Sequence, residues 1–151
     1  MNFKKPLSSE EFKAIYSKVP RLCVELVIKT PEGIVLSLRK LSSWYGKWHI
    51  PGGTVHYKEE VKDAIKRVAA EELGIEVSIK KLLGYIEYPD EKKERGFGSS
   101  IGLAFLCVAN VSKMTPNDDA SEIKIFKSLP GNLIEEHQVF LESSWEDIAS
   151  N

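Results

Sequence analysis

Hydrophobic and polar residues alternate along two neighbouring segments in the first third of the chain. Residues 21–30 (RLCVELVIKT) and 34–40 (IVLSLRK) place apolar side chains at every second position, which is the period of a β-strand. The sequence PEG between them is typical of a turn, so the two segments are predicted to form a hairpin. One face of the first strand then carries Leu22, Val24, Leu26 and Ile28, and Glu25 falls on the opposite face between Cys23 and Val27.

Three other segments are predicted helices: residues 8–20, 59–73 and 132–150. In the second of them apolar residues recur at intervals of three and four, as they do on the buried side of a helix. Residues that commonly begin or end helices flank these segments. They are the capping-box pair Ser8 and Glu11, Asn132 as N-cap of the last helix, and Gly74 as the C-terminal cap of the second.

The remaining sequence alternates between loops and extended segments. Residues 41–58 are predicted to be a loop with short extended pieces, and residues 76–89 an extended segment. Residues 90–100 (DEKKERGFGSS) are charged and contain glycine, which predicts a mobile loop. Residues 101–111 form an apolar run short enough for a buried strand, and residues 122–129 are a last strand. This mixture predicts an α/β or α+β sandwich in which helices cover a sheet.

Length and composition narrow the class of protein. The chain has 151 residues, which predicts one domain over residues 1–151. The net charge of -1 gives no support for binding nucleic acid or an acidic membrane by charge alone. Cys23 and Cys107 lie in apolar runs without metal-ligand spacing, so both are expected to be reduced core residues. The N-terminus lacks an apolar signal-peptide core, and no apolar run approaches bilayer length, so we expect a cytoplasmic protein.

Two adjacent acidic residues, Glu71 and Glu72, interrupt the apolar side of the second predicted helix. On a helical wheel Glu72 falls in the same sector as Val68, and Glu71 lies at its edge. Burying an unpaired carboxylate costs several kcal/mol, so a cation, a metal ion or a shifted pKa would be needed there. The alternative is that the helix frays near Gly74 and both carboxylates reach water.

The sequence around this pair resembles the Nudix hydrolase family. The family box reads G-x(5)-E-x(7)-R-E-u-x-E-E-x-G-u, in which u is a bulky aliphatic residue. The preceding sequence GKWHIPGG is similar to the family's usual G-x-W-x-x-P-G-G, and the strand order before and after the box also fits. The chain supplies the box residues Gly53, Glu59, Arg67, Glu71, Glu72, Gly74 and Ile75.

The resemblance implies an α/β/α sandwich with a mixed sheet and a loop-helix-loop at the box. It implies Mg²⁺ or Mn²⁺ held by Glu71, Glu72 and the carbonyl oxygen of Gly52, because these ions prefer hard oxygen ligands and suit diphosphate substrates. It also implies a structural pair, Glu59 and Arg67, that braces the loop against the helix. A plain surface salt bridge remains the alternative for that pair.

One box position departs from the family pattern, because Val68 replaces the usual glutamate. The GDP-mannose mannosyl hydrolases also lack that glutamate, and they cleave the sugar C–O bond rather than a P–O bond. By similarity to that branch, Glu25 is expected near the substrate, and Arg39 or Lys40 near its phosphates. A strand position such as that of Glu25 faces solvent equally often, so both placements stay open.

The loop before the last strand should hold the general base, and here the resemblance to that branch is incomplete. Its histidine is missing, and Asp118 and Asp119 are the nearest candidates. His56, one turn before the helix, is a further candidate for a phosphate contact. His49 is expected to pack inside the loop, and His137 is expected at the surface of the last helix.

The predicted function is metal-dependent hydrolysis of a nucleoside diphosphate linked to another group, above all a nucleotide sugar such as GDP-mannose. A pyrophosphatase that removes damaged nucleoside triphosphates and a nucleotide-binding module without turnover remain alternatives. The expected partner is a small nucleotide-derived substrate, with no nucleic acid and no membrane. A homodimer formed through the edge of residues 101–111 is a further expectation.

Overall fold

Seven β-strands form one mixed sheet in the computed structural model, which describes residues 4–151. The strands are β1 (Arg21–Thr30), β2 (Gly33–Arg39), β3 (Trp48–His49), β4 (Gly52–Thr54), β5 (Ser78–Glu87), β6 (Ser100–Val108) and β7 (Ala120–Phe126). The helices are α1 (Ser9–Tyr16), α2 (Val61–Leu73), α3 (Glu91–Arg95) and α4 (Glu135–Ser150). The predicted mixture of helices and strands is thus confirmed. The predicted single domain includes residues 1–3, which lie outside the described part of the chain.

Strand β1 lies at the centre of the sheet. It runs parallel to β6 on one side, and on the other it is antiparallel to β4 and, at its end, to β2. The predicted hairpin is present, with Thr30 opposite Gly33. Strand β7 pairs with β2, and β5 completes the edge beyond β6. The alternation expected along β1 is also present, but both faces are buried, because helices cover the sheet on both sides. Leu22 is the exception and is exposed.

Each face of the sheet has its own apolar cluster. Helix α2 packs on the first face against side chains of β1 such as Val24 and Leu26. Helix α4 contributes Leu141 and Ile148 to the second face, where Val27 of β1 also lies. Since side chains alternate between faces along a strand, Glu25 shares the α4 side with Val27. Glu25 therefore lies on the face of the sheet opposite to the one on which α2 packs.

Several predicted boundaries were wrong. Residues 90–100 were predicted to be a loop but contain the short helix α3, and its first residue, Glu91, is buried and forms an ion pair with Arg21. The last helix begins at Glu135, because the side chain of Asn132 donates a hydrogen bond to the carbonyl of Gly46 instead of capping a helix. The apolar segment 101–111 cannot offer a free edge, since β6 lies between β1 and β5.

Other features of the sequence prediction hold in the structure. Ser8 and Glu11 form the reciprocal capping box of α1, and Gly74 ends α2 in the left-handed conformation with φ 67°. Cys23 and Cys107 are both free and buried. Among residues 4–151, none of the helices has the length and apolar character needed to cross a membrane.

Candidate active site

The loop from β4 into α2 fixes where the two central glutamates stand. Gly53 of β4 lies so close to α2 that a Cβ atom there would be 3.0 Å from Cγ2 of Val68. Because Gly53 has no side chain, Val68 packs directly against β4 and holds α2 close to the sheet. Gly74 then ends the helix in the left-handed conformation. Glu71 and Glu72 consequently sit half-buried on an ordered final turn, and the fraying alternative does not describe this helix.

Arg67 ties the loop to the helix. Its Nε donates to Oε2 of Glu59 at 2.7 Å and its Nη2 to Oε1 of Glu59 at 3.0 Å. The same Nη2 donates to the carbonyl of Thr54 at 2.7 Å, and Nη1 donates to Glu71 at 2.9 Å. The Glu59 and Arg67 side chains are only 15% and 18% exposed, so the pair is more than a surface salt bridge. The hydrogen bonds from Arg67 lower the pKa of Glu59.

Val68 is buried in the apolar cluster between α2 and the sheet and is 1% exposed. The position at which the family pattern has a third carboxylate is therefore filled by an aliphatic side chain packed against Gly53. The chain thus replaces a charge by apolar packing at the centre of the box. This leaves Glu71 and Glu72 as the acidic residues of the last two turns of the helix.

Three carboxylates influence one another at the end of α2. Burial and the negative charges of Asp119 and Glu71 together raise the pKa of Glu72 to about 7, while a hydrogen bond with the side chain of Asn117 opposes the shift. Asp119 immediately precedes β7, and its backbone N–H donates to Oδ1 of Asn117 at 3.0 Å. The cluster brings residues of the predicted metal site together with one of the two candidates for the general base.

Arg39, at the end of β2, is the cation whose charge lowers the pKa of Glu72. Burial lowers the pKa of Arg39 itself, whereas the charges of Asp119, Glu72 and Glu25 act in the opposite direction. Its Nε and Nη2 donate to the carbonyl and the hydroxyl of Ser43, both at 2.8 Å, and its guanidinium lies 5.8 Å from the ring centre of Trp44. Within residues 4–151, Nη1 of Arg39 makes no hydrogen bond, so this nitrogen remains able to donate.

Glu25 occupies a slot between two glycines of the neighbouring strands. A Cβ atom at Gly52 of β4 would collide with its Oε2, and one at Gly102 of β6 would lie 2.7 Å from its Oε1. Burial raises the pKa of Glu25 to about 7, partly offset by a hydrogen bond that Tyr88 donates. Glu25 is 6% exposed, which excludes the solvent-facing alternative.

The other predicted site residues lie further from this arrangement. Lys40 and Asp118 are exposed; the backbone N–H of Lys40 donates to the carbonyl of Asp119. The backbone N–H of His56 donates to Glu59, so His56 supports the loop through its main chain. His49 packs inside as expected, and burial lowers its pKa to about 4.

The sequence did not reveal two residues that are linked to Glu25 by hydrogen bonds, one directly and one through the other. Tyr88, which follows β5, donates its hydroxyl hydrogen to Oε1 of Glu25 at 2.6 Å. His137 of α4 lies 2.8 Å from the same hydroxyl, and it is 3% exposed, so the prediction of a surface histidine was wrong. A signal existed: His137 precedes Leu141 by four residues and Ile148 by eleven, which is helical spacing and places it on the buried side of α4.

The acids at the end of α2 are of the chemical type that binds a divalent metal ion. Glu71, Glu72 and Asp119 carry hard oxygen atoms, and burial together with the charges of Asp119 and Glu71 raises the pKa of Glu72, which a bound dication would counter. Across residues 4–151, no group of three or more acidic, histidine or cysteine side chains is already arranged to hold a metal ion. Mg²⁺ sites commonly take only one or two carboxylates and complete their coordination with water and substrate phosphates.

Most of the chain matches the model of a known protein family. The family model for the NUDIX domain matches residues 19–141. The low-salt glycan biosynthesis protein Agl8 of Haloferax volcanii is 34% identical over 124 residues, which cover 80% of each chain. An ADP-ribose pyrophosphatase of Methanocaldococcus jannaschii is 31% identical over 107 residues, covering 71% of this chain and 62% of that protein.

Solved structures with the same fold are also similar to this chain. A MutT NUDIX hydrolase from Burkholderia pseudomallei superposes with a TM-score of 0.73 at 26% identity, covering 83% of this chain and 98% of that one. A bifunctional NMN adenylyltransferase/ADP ribose pyrophosphatase from Francisella tularensis, complexed with AMP and a Mn ion, gives a TM-score of 0.71 at 22% identity. That match covers 92% of this chain and 46% of the bifunctional protein.

Proposed function

Because the chain belongs to the Nudix hydrolase family, we propose that it hydrolyses a nucleoside diphosphate linked to a sugar, with Mg²⁺ or Mn²⁺ as cofactor. The observation that carries this proposal is the group of acids at the end of α2 together with the half-buried Arg39, whose charge acts on Glu72. A diphosphate substrate is negatively charged and binds with a dication, so it suits a site that offers both carboxylates for the metal ion and a guanidinium for the phosphates.

Each residue of the site has a role in this proposal. Glu71 and Glu72, with the Gly52 carbonyl, hold the metal ion, and Arg67 keeps Glu71 in place through their 2.9 Å hydrogen bond. Arg39 donates its unengaged Nη1 to a phosphate oxygen, since Ser43 already orients the guanidinium. Asp119 accepts the proton of the attacking water. When bound, the metal ion neutralises phosphate charge and makes water a stronger nucleophile.

The names of two similar proteins support a substrate in which the diphosphate joins the nucleoside to a sugar. One is named for glycan biosynthesis and another for ADP-ribose, which is itself a nucleoside diphosphate joined to a sugar. GDP-mannose and ADP-ribose are therefore the two substrates to test first. Val68 replaces the box glutamate, but Asp119 is a further carboxylate that interacts with Glu72. Because Asp119 could supply the missing acid in either reaction, the replacement alone does not decide between P–O and glycosidic C–O cleavage.

Turnover in the presence of Mg²⁺ or Mn²⁺ tests the proposal, with GDP-mannose, ADP-ribose and GTP as substrates. We expect hydrolysis of at least one of the two sugar nucleotides and loss of activity with EDTA. Reaction in ¹⁸O-labelled water then identifies the bond, since the label enters a phosphate after P–O cleavage and the sugar after C–O cleavage. Hydrolysis of GTP alone would favour a triphosphate pyrophosphatase, and binding without any turnover would favour a nucleotide-binding module.

A further inference from the structure

A chain of three hydrogen bonds runs through the interior between α4 and β1. The backbone N–H of Ile50 donates to Nδ1 of His137 at 3.0 Å. Nε2 of His137 lies 2.8 Å from the hydroxyl oxygen of Tyr88, and that hydroxyl lies 2.6 Å from Oε1 of Glu25. The chain connects a helix, the segment after β5 and the central strand, and none of its links involves the carboxylates of α2.

The direction of the chain is determined by its first link. Because a backbone N–H can only donate, Nδ1 of His137 must be the unprotonated nitrogen, and the neutral ring then carries its hydrogen on Nε2. Nε2–H donates to the Tyr88 oxygen, and the Tyr88 hydroxyl donates its own hydrogen to Glu25. Burial lowers the pKa of His137 well below its ordinary value and raises that of Tyr88 well above it, so both groups keep these protonation states.

Glu25, at the end of this series of hydrogen bonds, has one carboxylate oxygen that accepts no hydrogen bond from the described part of the protein. Oε1 of Glu25 accepts from Tyr88, whereas Oε2, directed at Gly52, receives no hydrogen bond from residues 4–151. Glu25 as a whole is 6% exposed, but Oε2 is not fully enclosed, because among residues 4–151 the buried side-chain atom without a hydrogen-bond partner is Nε of Arg95. The glycines on both sides let the carboxylate fit between the strands, since a Cβ atom at either position would collide with its oxygens. Oε2 of Glu25 is thus an acceptor that the described residues leave unpaired and accessible.

We propose that Tyr88 and His137 are positioning residues, which orient Glu25 so that its free oxygen accepts a hydrogen bond from a hydroxyl or N–H group of the substrate. This inference rests on the proposed function and deepens it, because it assigns a recognition site to the part of the substrate beyond the diphosphate. The Tyr88 hydroxyl fixes the rotamer of Glu25, and His137 fixes the hydroxyl. Neither residue touches the reacting atoms.

Steady-state kinetics of Tyr88→Phe, which removes only the hydroxyl, test the role of the chain. On whichever of GDP-mannose and ADP-ribose is hydrolysed, we expect KM to rise about tenfold with kcat changed less than about twofold, because a recognition contact is lost. In a Glu25→Gln background the same substitution should change KM less than about twofold, since Glu25 mediates its effect. Equal effects of Tyr88→Phe in both backgrounds would overturn the proposal. Tyr85→Phe, on the exposed side of β5, is the matched control and should leave KM unchanged.

Inhibition by the two halves of the same substrate identifies the donor. If Tyr88→Phe weakens inhibition by the sugar phosphate, the donor is a sugar hydroxyl; if it weakens inhibition by the nucleoside monophosphate, the donor belongs to the nucleoside. Unchanged inhibition by both would overturn the proposal.

If neither sugar nucleotide is hydrolysed, the proposed function fails, and the variants are compared by calorimetric affinity for the two intact compounds. Equal affinity of wild type and Tyr88→Phe, or no binding of either compound, would then overturn the positioning role as well.

A spectroscopic measurement tests the hydrogen-bond chain independently of any substrate. In protein labelled with ¹⁵N-histidine, we expect His137 to show the neutral tautomer with hydrogen on Nε2. Tyr88→Phe should shift the Nε2 resonance, whereas Tyr85→Phe should not. A His137 ring that is protonated on Nδ1 would contradict the chain, whatever the enzyme hydrolyses.

Discussion

At the scale of single residues, the half-buried Glu72 is the most informative side chain of the site. Its pKa is raised to about 7 by burial and by the neighbouring charges of Asp119 and Glu71. A carboxylate in this position destabilises the protein unless a cation compensates for it. The family pattern and the geometry agree on that residue, which makes it the natural place to test metal dependence.

Glu72→Gln should lower kcat by about 100-fold or more in saturating Mg²⁺, because it removes a ligand of the ion that stabilises the reacting phosphate. Glu76→Gln, which changes an exposed glutamate just beyond the helix, is the matched control and should retain activity. Initial rates with the preferred sugar nucleotide provide the measurement. Full activity of the Glu72 variant would remove this residue from the metal site.

Residues also show the limits of prediction from sequence. The box residues were found because their spacing along one helix and its loop is fixed, so a linear pattern carries the geometry. Tyr88 and His137 were missed because they meet Glu25 only through strand pairing and the packing of α4, over 63 residues for Tyr88 and Glu25 and 49 for Tyr88 and His137. Contacts between residues so far apart in sequence, such as Tyr88 with Glu25 and Tyr88 with His137, leave no local pattern from which they could be predicted.

At the scale of elements, α2 packs its apolar face on the sheet and carries the acidic residues Glu71 and Glu72 in its last turn. Val68 faces Gly53 inside the apolar cluster, one helical turn from both glutamates of the site. An acid introduced here would be buried at a position that is 1% exposed, next to carboxylates that already repel each other. Its effect should therefore depend strongly on whether a metal ion is present.

Val68→Glu should lower the free energy of unfolding by about 3 kcal/mol in EDTA, because it buries an uncompensated charge. Mn²⁺ should restore part of that loss, since an ion that binds only the folded protein stabilises it. The control is Val68→Gln, which has the same shape without the charge and should gain no more from Mn²⁺ than wild type does. Thermal unfolding with and without Mn²⁺ measures the effect, and equal Mn²⁺ stabilisation of all three proteins would contradict it.

Helix α4 gives the fold a pH dependence through His137. Below the ordinary histidine pKa of 6.5 the unfolded chain takes up a proton at this position, but the folded protein does not, because burial holds the pKa of His137 well below that value. Stability that is present above pH 6.5 is therefore lost as the pH falls. Relative to His137→Gln, the wild type should lose up to about 1.4 kcal/mol per pH unit between pH 6.5 and 5. Urea unfolding across this range measures the difference, and parallel profiles would show that His137 is not buried in its neutral form.

The elements themselves were predicted well where local rules decide them. The bounds of β1 agree with the alternating pattern, and the capping box of α1 and the glycine cap of α2 are local signals that the structure retains. Helix α3 was missed because Glu91 is held by Arg21 and Ser100 from β1 and β6, and these partners are distant in sequence. The start of α4 was misplaced for a similar reason, since Asn132 bonds to Gly46 in another loop.

At the scale of the whole molecule, the residue proposed to recognise the substrate and the acids proposed to bind metal lie in different parts of the fold. Glu25 and its partners lie on the α4 side, Glu71 and Glu72 lie at the end of α2, and the charge of Arg39 acts on both Glu25 and Glu72. This layout suits a substrate with two dissimilar halves joined by a diphosphate, as in a sugar nucleotide. The comparison with known proteins establishes the family and the fold, and the layout supplies the argument for the class of substrate.

Anomalous scattering from crystals grown with Mn²⁺ and ADP-ribose tests the central claim most directly. We expect a manganese peak in coordination contact with the carboxylates of Glu71 and Glu72 and with the carbonyl of Gly52, because such ions prefer hard oxygen ligands. The diphosphate should bridge that ion and Arg39. A site at the end of α2 without manganese, with both glutamates turned to bulk solvent, would contradict the account.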